Sequence, residues 1–143
     1  MIIRPANLEI DALAITEGAK DFASRTIVRL PKDFTSIVSR IIDLPGVEIL
    51  IVENRGKVVG GIGILYVPYV WNPEILVGEK LFIWAAKDAP FRAATILIDY
   101  AIEHIIEKGA EPMFRGSKGM GKICMRHGLM PAETLFMREF NVH

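Results

Sequence analysis

The sequence predicts a mixed α/β fold, a central and mostly antiparallel sheet flanked by about four helices. Three observations predict it. The apolar runs follow the order strand, two helices, three strands, helix, strand, helix, strand. The runs at 47–53 and 57–66 are joined by Asn54-Arg55-Gly56, which reads as an antiparallel hairpin. The stretch 79–109 reads as strand, tight loop and helix. The strand after that helix must lie parallel to the strand before it, because a helix crossover joins parallel neighbours.

In chain order, residues 1–4 make a short strand closed by Pro5. Asn7 caps a helix with Leu8, Ala12, Ile15, Ala19 and Phe22 on its apolar face. Gly18 weakens that helix by about 1 kcal/mol relative to alanine. Residues 26–30 fit neither period. Pro31 and Asp33 open a second helix with Phe34, Ile37, Val38 and Ile41 on one face, and Pro45-Gly46 ends it. In the strand 57–66, Gly60, Gly61 and Gly63 predict a bulge, or another group packed closely on the backbone. Residues 68–73 read as a loop, and 74–85 as the long central strand, kinked near Gly78.

Lys87, Asp88 and Pro90 break that strand. Pro90 suits the first turn of a helix because it has no N–H to donate. Ala94, Leu97, Ile98, Ala101, Ile102 and Ile105 then form an apolar stripe, and Gly109 stops it. Residues 112–115 make a short strand. Gly116 and Ser117 lead into a last helix with Met120, Ile123, Cys124 and His127 on one face, stopped by Gly128. Residues 134–140 alternate as a final strand. No repeat or low-complexity linker divides the chain, so 1–143 reads as one domain.

Composition excludes several classes. Lys and Arg number 17, as do Asp and Glu, so zero net charge argues against wholesale nucleic-acid binding. One cysteine permits no internal disulfide, and three scattered histidines make no metal site. The most apolar run, 58–71, carries three glycines and Pro68 and is too interrupted to span a bilayer. The opening MIIRPANLEI has no apolar core of a secretion signal. These features predict a cytoplasmic protein with neither a membrane nor a nucleic acid as partner.

A strand feeding a helix through a tight loop makes an anion site, since the first turn has unpaired N–H groups at the positive end of the dipole. Phe91, Arg92, Ala93, Ala94 and Thr95 would supply those amides, with Arg92 adding a full charge. The plainer alternative is an ordinary crossover helix. Tyr66, Tyr69, Trp71 and Trp84 would line a ligand pocket, or else form a lid or the apolar patch of a homodimer. Lys118, Lys122 and Arg126 form a basic stripe that reaches a phosphate or is simply solvated. His104, between Glu103 and Glu107, lies on the polar side of its helix.

This order of elements resembles the GNAT acetyltransferase superfamily over nearly the whole chain. Ile3-Arg4-Pro5-Ala6 is similar to that family's first strand, and VEILIVENRGKVVGGIGI to its second and third. At the family's phosphate loop, R-x-x-G-x-G/A, stand Ala89, Arg92 and Ala94, of which Ala94 matches. Arg followed by two small residues resembles a variant of phage and prophage members, as does the ending ETLFMREF. The C-terminal motif N-x-x-A-x-x-x-Y-x-x-x-G-F is similar in spacing to Ser117, Met120, Cys124, Gly128 and Leu129, with Ser for Asn, Cys for Tyr and Leu for Phe.

The resemblance implies acetyl-CoA as donor and an amine as acceptor, with direct transfer between them. It implies that backbone groups at Phe82, Ile83 and Trp84 orient the pantetheine, that Ser117 contributes on the far side, and that the pyrophosphate sits on 91–95. It places a base at Glu79, which would otherwise be a solvent-facing carboxylate beside Lys80. It places Cys124 where the acid tyrosine stands. A thiol with a solution pKa near ~8.5 could donate a proton, though a helix-face cysteine is more often a small buried hydrophobe. His127 is the only base near Cys124 in sequence. The alternative to an enzyme is a catalytically silent GNAT-like binding or structural protein, of a phage particle for instance.

Overall fold

The sheet is ordered in space as it is in sequence. In the computed structural model, which describes residues 1–25, 30–133 and 136, β1 (Ile2–Pro5) pairs antiparallel with β2 (Val47–Asn54). Strand β2 pairs antiparallel with β3 (Lys57–Tyr69), and β3 with β4 (Asn72–Ala85). Strand β4 then lies parallel to β5 (Glu111–Met113), with helix α3 (Ala93–Glu107) as the crossover. This is the mixed, mostly antiparallel sheet with four helices that the pattern predicts.

Alternation along the strands sorts the core into two layers. Leu50 and Val52 point to α3, where Leu97, Ala101 and Ile105 meet them. Ile49 and Ile51 point the other way, to Ile15 and Ala19 of α1 (Leu8–Ser24) and Val38 of α2 (Phe34–Asp43). Helix α4 (Lys118–Arg126) packs beside α3 through Ile98, Ile102 and Cys124.

The helix ends follow their sequence signals. Asn7 accepts from the Glu9 amide at 3.1 Å, Asp33 from Ser36 at 3.3 Å and Ser117 from Met120 at 3.4 Å. Gly109 and Gly128, just past α3 and α4, take left-handed φ of 78° and 83°.

Several expectations are corrected. The buried side of α1 is Asp11, Ile15, Gly18 and Ala19, whereas Leu8 and Ala12 are exposed. Asp11 is buried because Arg4 clasps it, donating at 2.8 and 3.1 Å while also reaching Glu53 at 2.6 Å. That hydrogen bonding holds the Asp11 carboxyl below the usual range. On α3 the stripe begins at Ala93, which is fully buried, and Ala94 is only half-buried. The predicted loop 68–73 is not a loop. Both strands run into it, and only Val70 and Trp71 remain between Tyr69 and Asn72. The short strand predicted at 112–115 begins and ends earlier, as β5. Residues 134–140 lie outside the described residues except Phe136, which is exposed.

The glycines of β3 carry aromatic rings. A Cβ on Gly61 would stand 2.2 Å from Trp84 Cη2, and one on Gly63 would stand 2.5 Å from Phe82 Cε1. The two rings stack at 5.9 Å between centroids. The register also slips here. Gly63 faces Phe82 and Ile64 faces Lys80, so Leu81 is the extra residue of a bulge. The irregularity in β4 thus sits three residues beyond Gly78.

Candidate active site

The parallel pairing of β4 with β5 covers only Val77–Glu79 against Glu111–Met113. Beyond Glu79, β4 continues for six residues, Lys80 to Ala85, while the chain after Met113 leaves the strand. Among the described residues no strand pairs with that edge, so β4 and β5 part.

Ladder alternation decides which backbone groups face the opening. The Ala86 amide donates to the Val59 carbonyl at 2.8 Å. Successive residues of an antiparallel ladder alternate, so the amides of Trp84 and Phe82 turn inward to β3. Those of Ile83 and Ala85 turn outward. Of Phe82, Ile83 and Trp84, then, Ile83 presents its N–H to the opening. The other two contribute rings buried on the α1 side.

Eight residues past Ala85, α3 begins, with Arg92 at its N-cap and no side chain capping it. The Ala93 amide donates to the Pro90 carbonyl at 2.9 Å. The Ala94 and Thr95 amides have no partner among the described residues, as expected for a first turn. Arg92 is exposed and makes no ion pair among them. The Phe91 ring is fully exposed. Two free amides, a small residue and an unpaired guanidinium at the positive end of a helix fit a phosphate.

Glu79 and Cys124 differ in surroundings. The Glu79 carboxylate is about four-fifths buried and accepts from Arg115 at 2.9 Å. Cys124 packs among Ile98, Ile102 and Phe114, and burial pushes its thiol up. His127 is not positioned as its base. It caps α4, with Nδ1 2.9 Å from Glu103 and Nε2 2.7 Å from Asp99. The bond with Asp99 dominates in raising its pKa. Ser117 is the α4 N-cap, spending its hydroxyl oxygen on the Met120 amide. Lys118, Lys122 and Arg126 are exposed on α4, and Arg126 reaches Asp99 at 3.6 Å.

Two features escape the sequence pattern. Lys80, which the sequence marks only as the neighbour of Glu79, is half-buried with its ammonium 5.1 Å from the Phe22 ring centre. Burial, and less strongly Arg115, hold its pKa below the lysine range. The second is Glu48, which gathers Tyr66 at 3.0 Å, His104 at 2.8 Å and Lys108 at 3.0 Å. Burial works to raise the Glu48 carboxyl, but those partners together hold it low. His104 is therefore part of a half-buried cluster rather than a solvated face. This cluster borders a cavity of about 360 Å3 near the C-terminal end of α3, away from the opening.

The predicted aromatic group is dispersed. Trp84 is in the core, Tyr66 is in the Glu48 cluster, and Tyr69 and Trp71 are exposed at the β3–β4 turn. Among the described residues no cluster of His, Cys, Asp and Glu could hold a metal, and no helix is long and apolar enough to cross a membrane.

No protein-family model matches the chain, and no curated protein sequence matches it. Solved structures do. A ribosomal-protein-alanine N-acetyltransferase from Brucella melitensis is 16% identical with a TM-score of 0.71, covering 98% of this chain and 100% of that one. A protein of Clostridium acetobutylicum, described as a predicted acetyltransferase with acetyl-CoA, is 14% identical with a TM-score of 0.72, covering 99% and 98%. Glucosamine-6-phosphate N-acetyltransferase from Arabidopsis thaliana is 11% identical with a TM-score of 0.70, covering 98% of each chain. At these identities the likeness shows the fold alone, and that fold is GNAT-like.

Proposed function

We propose that this chain is an N-acetyltransferase that moves an acetyl group from acetyl-CoA directly to a primary amine. The observation that supports it best is the opening between β4 and β5 leading straight to the free first turn of α3. Acetyl-CoA would supply the activated acetyl group. The Ala94 and Thr95 amides, with Arg92, would hold its pyrophosphate, and the outward backbone of Ile83 and Ala85 would pair with its amide-bearing arm. Glu79 would take the proton that an ammonium acceptor must lose before it can attack. Amines named for the fold relatives include a ribosomal protein's alanine and an amino-sugar phosphate, so protein and small amines both belong in the screen. The cytoplasm is the compartment this reading expects, and Tyr69 and Trp71 are the apolar surface a homodimer would bury.

A second reading is a catalytically silent GNAT-like binding or structural protein, as in a phage particle. One observation favours it: Glu79 is tied to Arg115 and Cys124 is packed in the core, so neither side chain stands free.

Calorimetric titration with acetyl-CoA tests the first reading. We expect binding that Arg92→Ala weakens by about 1.5–3 kcal/mol, with the loss shrinking as salt rises. Binding, followed by thiol release with an amine from a broad panel, supports the enzyme. Absence of binding at millimolar acetyl-CoA leaves the silent reading standing.

A further inference from the structure

Lys80 is the first β4 residue beyond those that pair with β5. It stands opposite Ile64, beside the bulged Leu81. Its ammonium lies 5.1 Å from the centre of the Phe22 ring, and Phe22 belongs to α1 on one face of the sheet. Cys124 belongs to α4, which packs with α3 on the opposite face. Standing one residue past the last β4–β5 pair, Lys80 lies where the two strands part.

An ammonium withdrawn from water is normally matched by a carboxylate. Among the described residues Lys80 has none. Its neighbour Glu79 is held by Arg115, whose own charge also bears on Lys80. The Phe22 ring supplies partial compensation. A positive charge left unbalanced in the opening favours whatever negative charge develops there.

We propose that Lys80 is the catalytic acid of this site, its ammonium meeting the sulfur of the bound thioester and giving it a proton as the carbon–sulfur bond breaks. This rests on the acetyl-CoA reading above. The balance closes without a further reagent. The new carbon–nitrogen bond replaces the carbon–sulfur bond, whose electron pair goes to sulfur. Lys80 supplies the proton sulfur gains and takes back the one the acceptor nitrogen sheds. Its lowered pKa lies closer to that of a thiol, the match that proton transfer between the two needs. The assignment also accounts for Cys124: the position on α4 at which the resemblance puts an acid is filled by a packed thiol, and the acid comes from the strand side instead.

The test reads CoA itself. The full chain is saturated with CoA, and the ultraviolet absorbance of the thiolate is titrated against pH. A titration without CoA is subtracted to remove Cys124. Wild-type protein should ionise the bound thiol at lower pH than free CoA. Lys80→Met should abolish that shift, and Lys80→Arg, which keeps the charge, should preserve it. Affinity and melting temperature are measured beside each titration, so loss of binding or folding is not mistaken for loss of the shift. A bound thiol that titrates like free CoA, or a shift that survives Lys80→Met, overturns the proposal while leaving acetyl-CoA binding in place. So does stable acetylation of Lys80 found by mass spectrometry, which would make it a nucleophile. Failure of wild type to bind either CoA or acetyl-CoA overturns the acetyl-CoA reading, and Lys80's role with it.

Discussion

Gly18→Ala separates helix propensity from packing. Alanine inside a helix is favoured over glycine by about 1 kcal/mol, so propensity alone predicts a more stable protein. A Cβ on Gly18, however, would stand 2.2 Å from Trp84 Cδ2 and 2.3 Å from Cε2. The ring cannot retreat, because Gly61 lies against its far edge, where an added Cβ would be 2.2 Å from Cη2. Trp84 is 6% exposed and stacked on Phe82, which closes the remaining directions. Overpacking costs about 1–3 kcal/mol, and a ring pinned on both sides belongs at the upper end. Net of propensity, the variant should lose about 1–2 kcal/mol. Urea unfolding would read that loss directly, and melting should fall by about 3–10 °C. Gly121→Ala is the control: it makes the same change inside α4, where nothing lies within 4 Å of the new Cβ. It should stabilise by up to about 1 kcal/mol. If Gly18→Ala raises stability as Gly121→Ala does, the wedging of Trp84 between two glycines is wrong.

Other outcomes follow from the same contacts. Ala94→Trp should abolish acetyl-CoA binding with little change in melting, whereas Ala93→Trp should fail to fold stably; calorimetry and thermal unfolding together separate them. Cys124→Ala should leave any acetyl transfer within about tenfold, equivalent to ~1.4 kcal/mol of barrier, and a thousandfold loss in folded protein would put the thiol in the chemistry. His127 has a folded-state pKa raised above 6.5, chiefly by Asp99. Its stabilisation is therefore complete below that unfolded value and is lost as pH rises through the higher folded value. Between about pH 6 and pH 9, wild-type melting should fall relative to His127→Gln, and parallel curves would show that the imidazolium contributes nothing.

What the sequence makes legible is local. Asn7, Asp33 and Ser117 mark helix starts, and Gly109 and Gly128 mark stops, because caps depend on one or two residues of backbone geometry. The parallel β4–β5 pair was deducible because chain connectivity admits no other arrangement. The oddity of Gly60, Gly61 and Gly63 signals close packing, and rings do pack there, but which rings depends on cross-strand register. The α3 stripe is legible from Leu97 to Ile105, and only its first member differs, Ala93 in place of Ala94. An apolar alanine pair fits the stripe at either member, and only the helix start at Ala93 decides. The loop reading of 68–73 failed because the register shift leaves 73–75 of β4 without β3 partners, so Pro73 costs no ladder bond there, and Pro68 stands beside the same irregularity. Lys80 and the Glu48 cluster were invisible for another reason. Glu48 and His104 are 56 residues apart, and no periodicity reports which charged side chains three-dimensional proximity will bury.

The sheet order β1-β2-β3-β4-β5 bears on how the opening comes into being. Strands β2, β3 and β4 are joined by turns of two residues, Arg55-Gly56 and Val70-Trp71, so they can zip together with almost no loop-closure entropy. Strand β5 cannot join until 25 intervening residues, α3 among them, have folded back across the sheet. Its three-residue pairing is also the shortest in the sheet. The meander thus needs the least chain to close, and the walls of the site meet only when the crossover docks. Binding at that gap would clamp the last-formed part of the molecule to the first-formed part, so a ligand's contribution to stability should fall on α3, β5 and α4 rather than on the strands that carry most of the core.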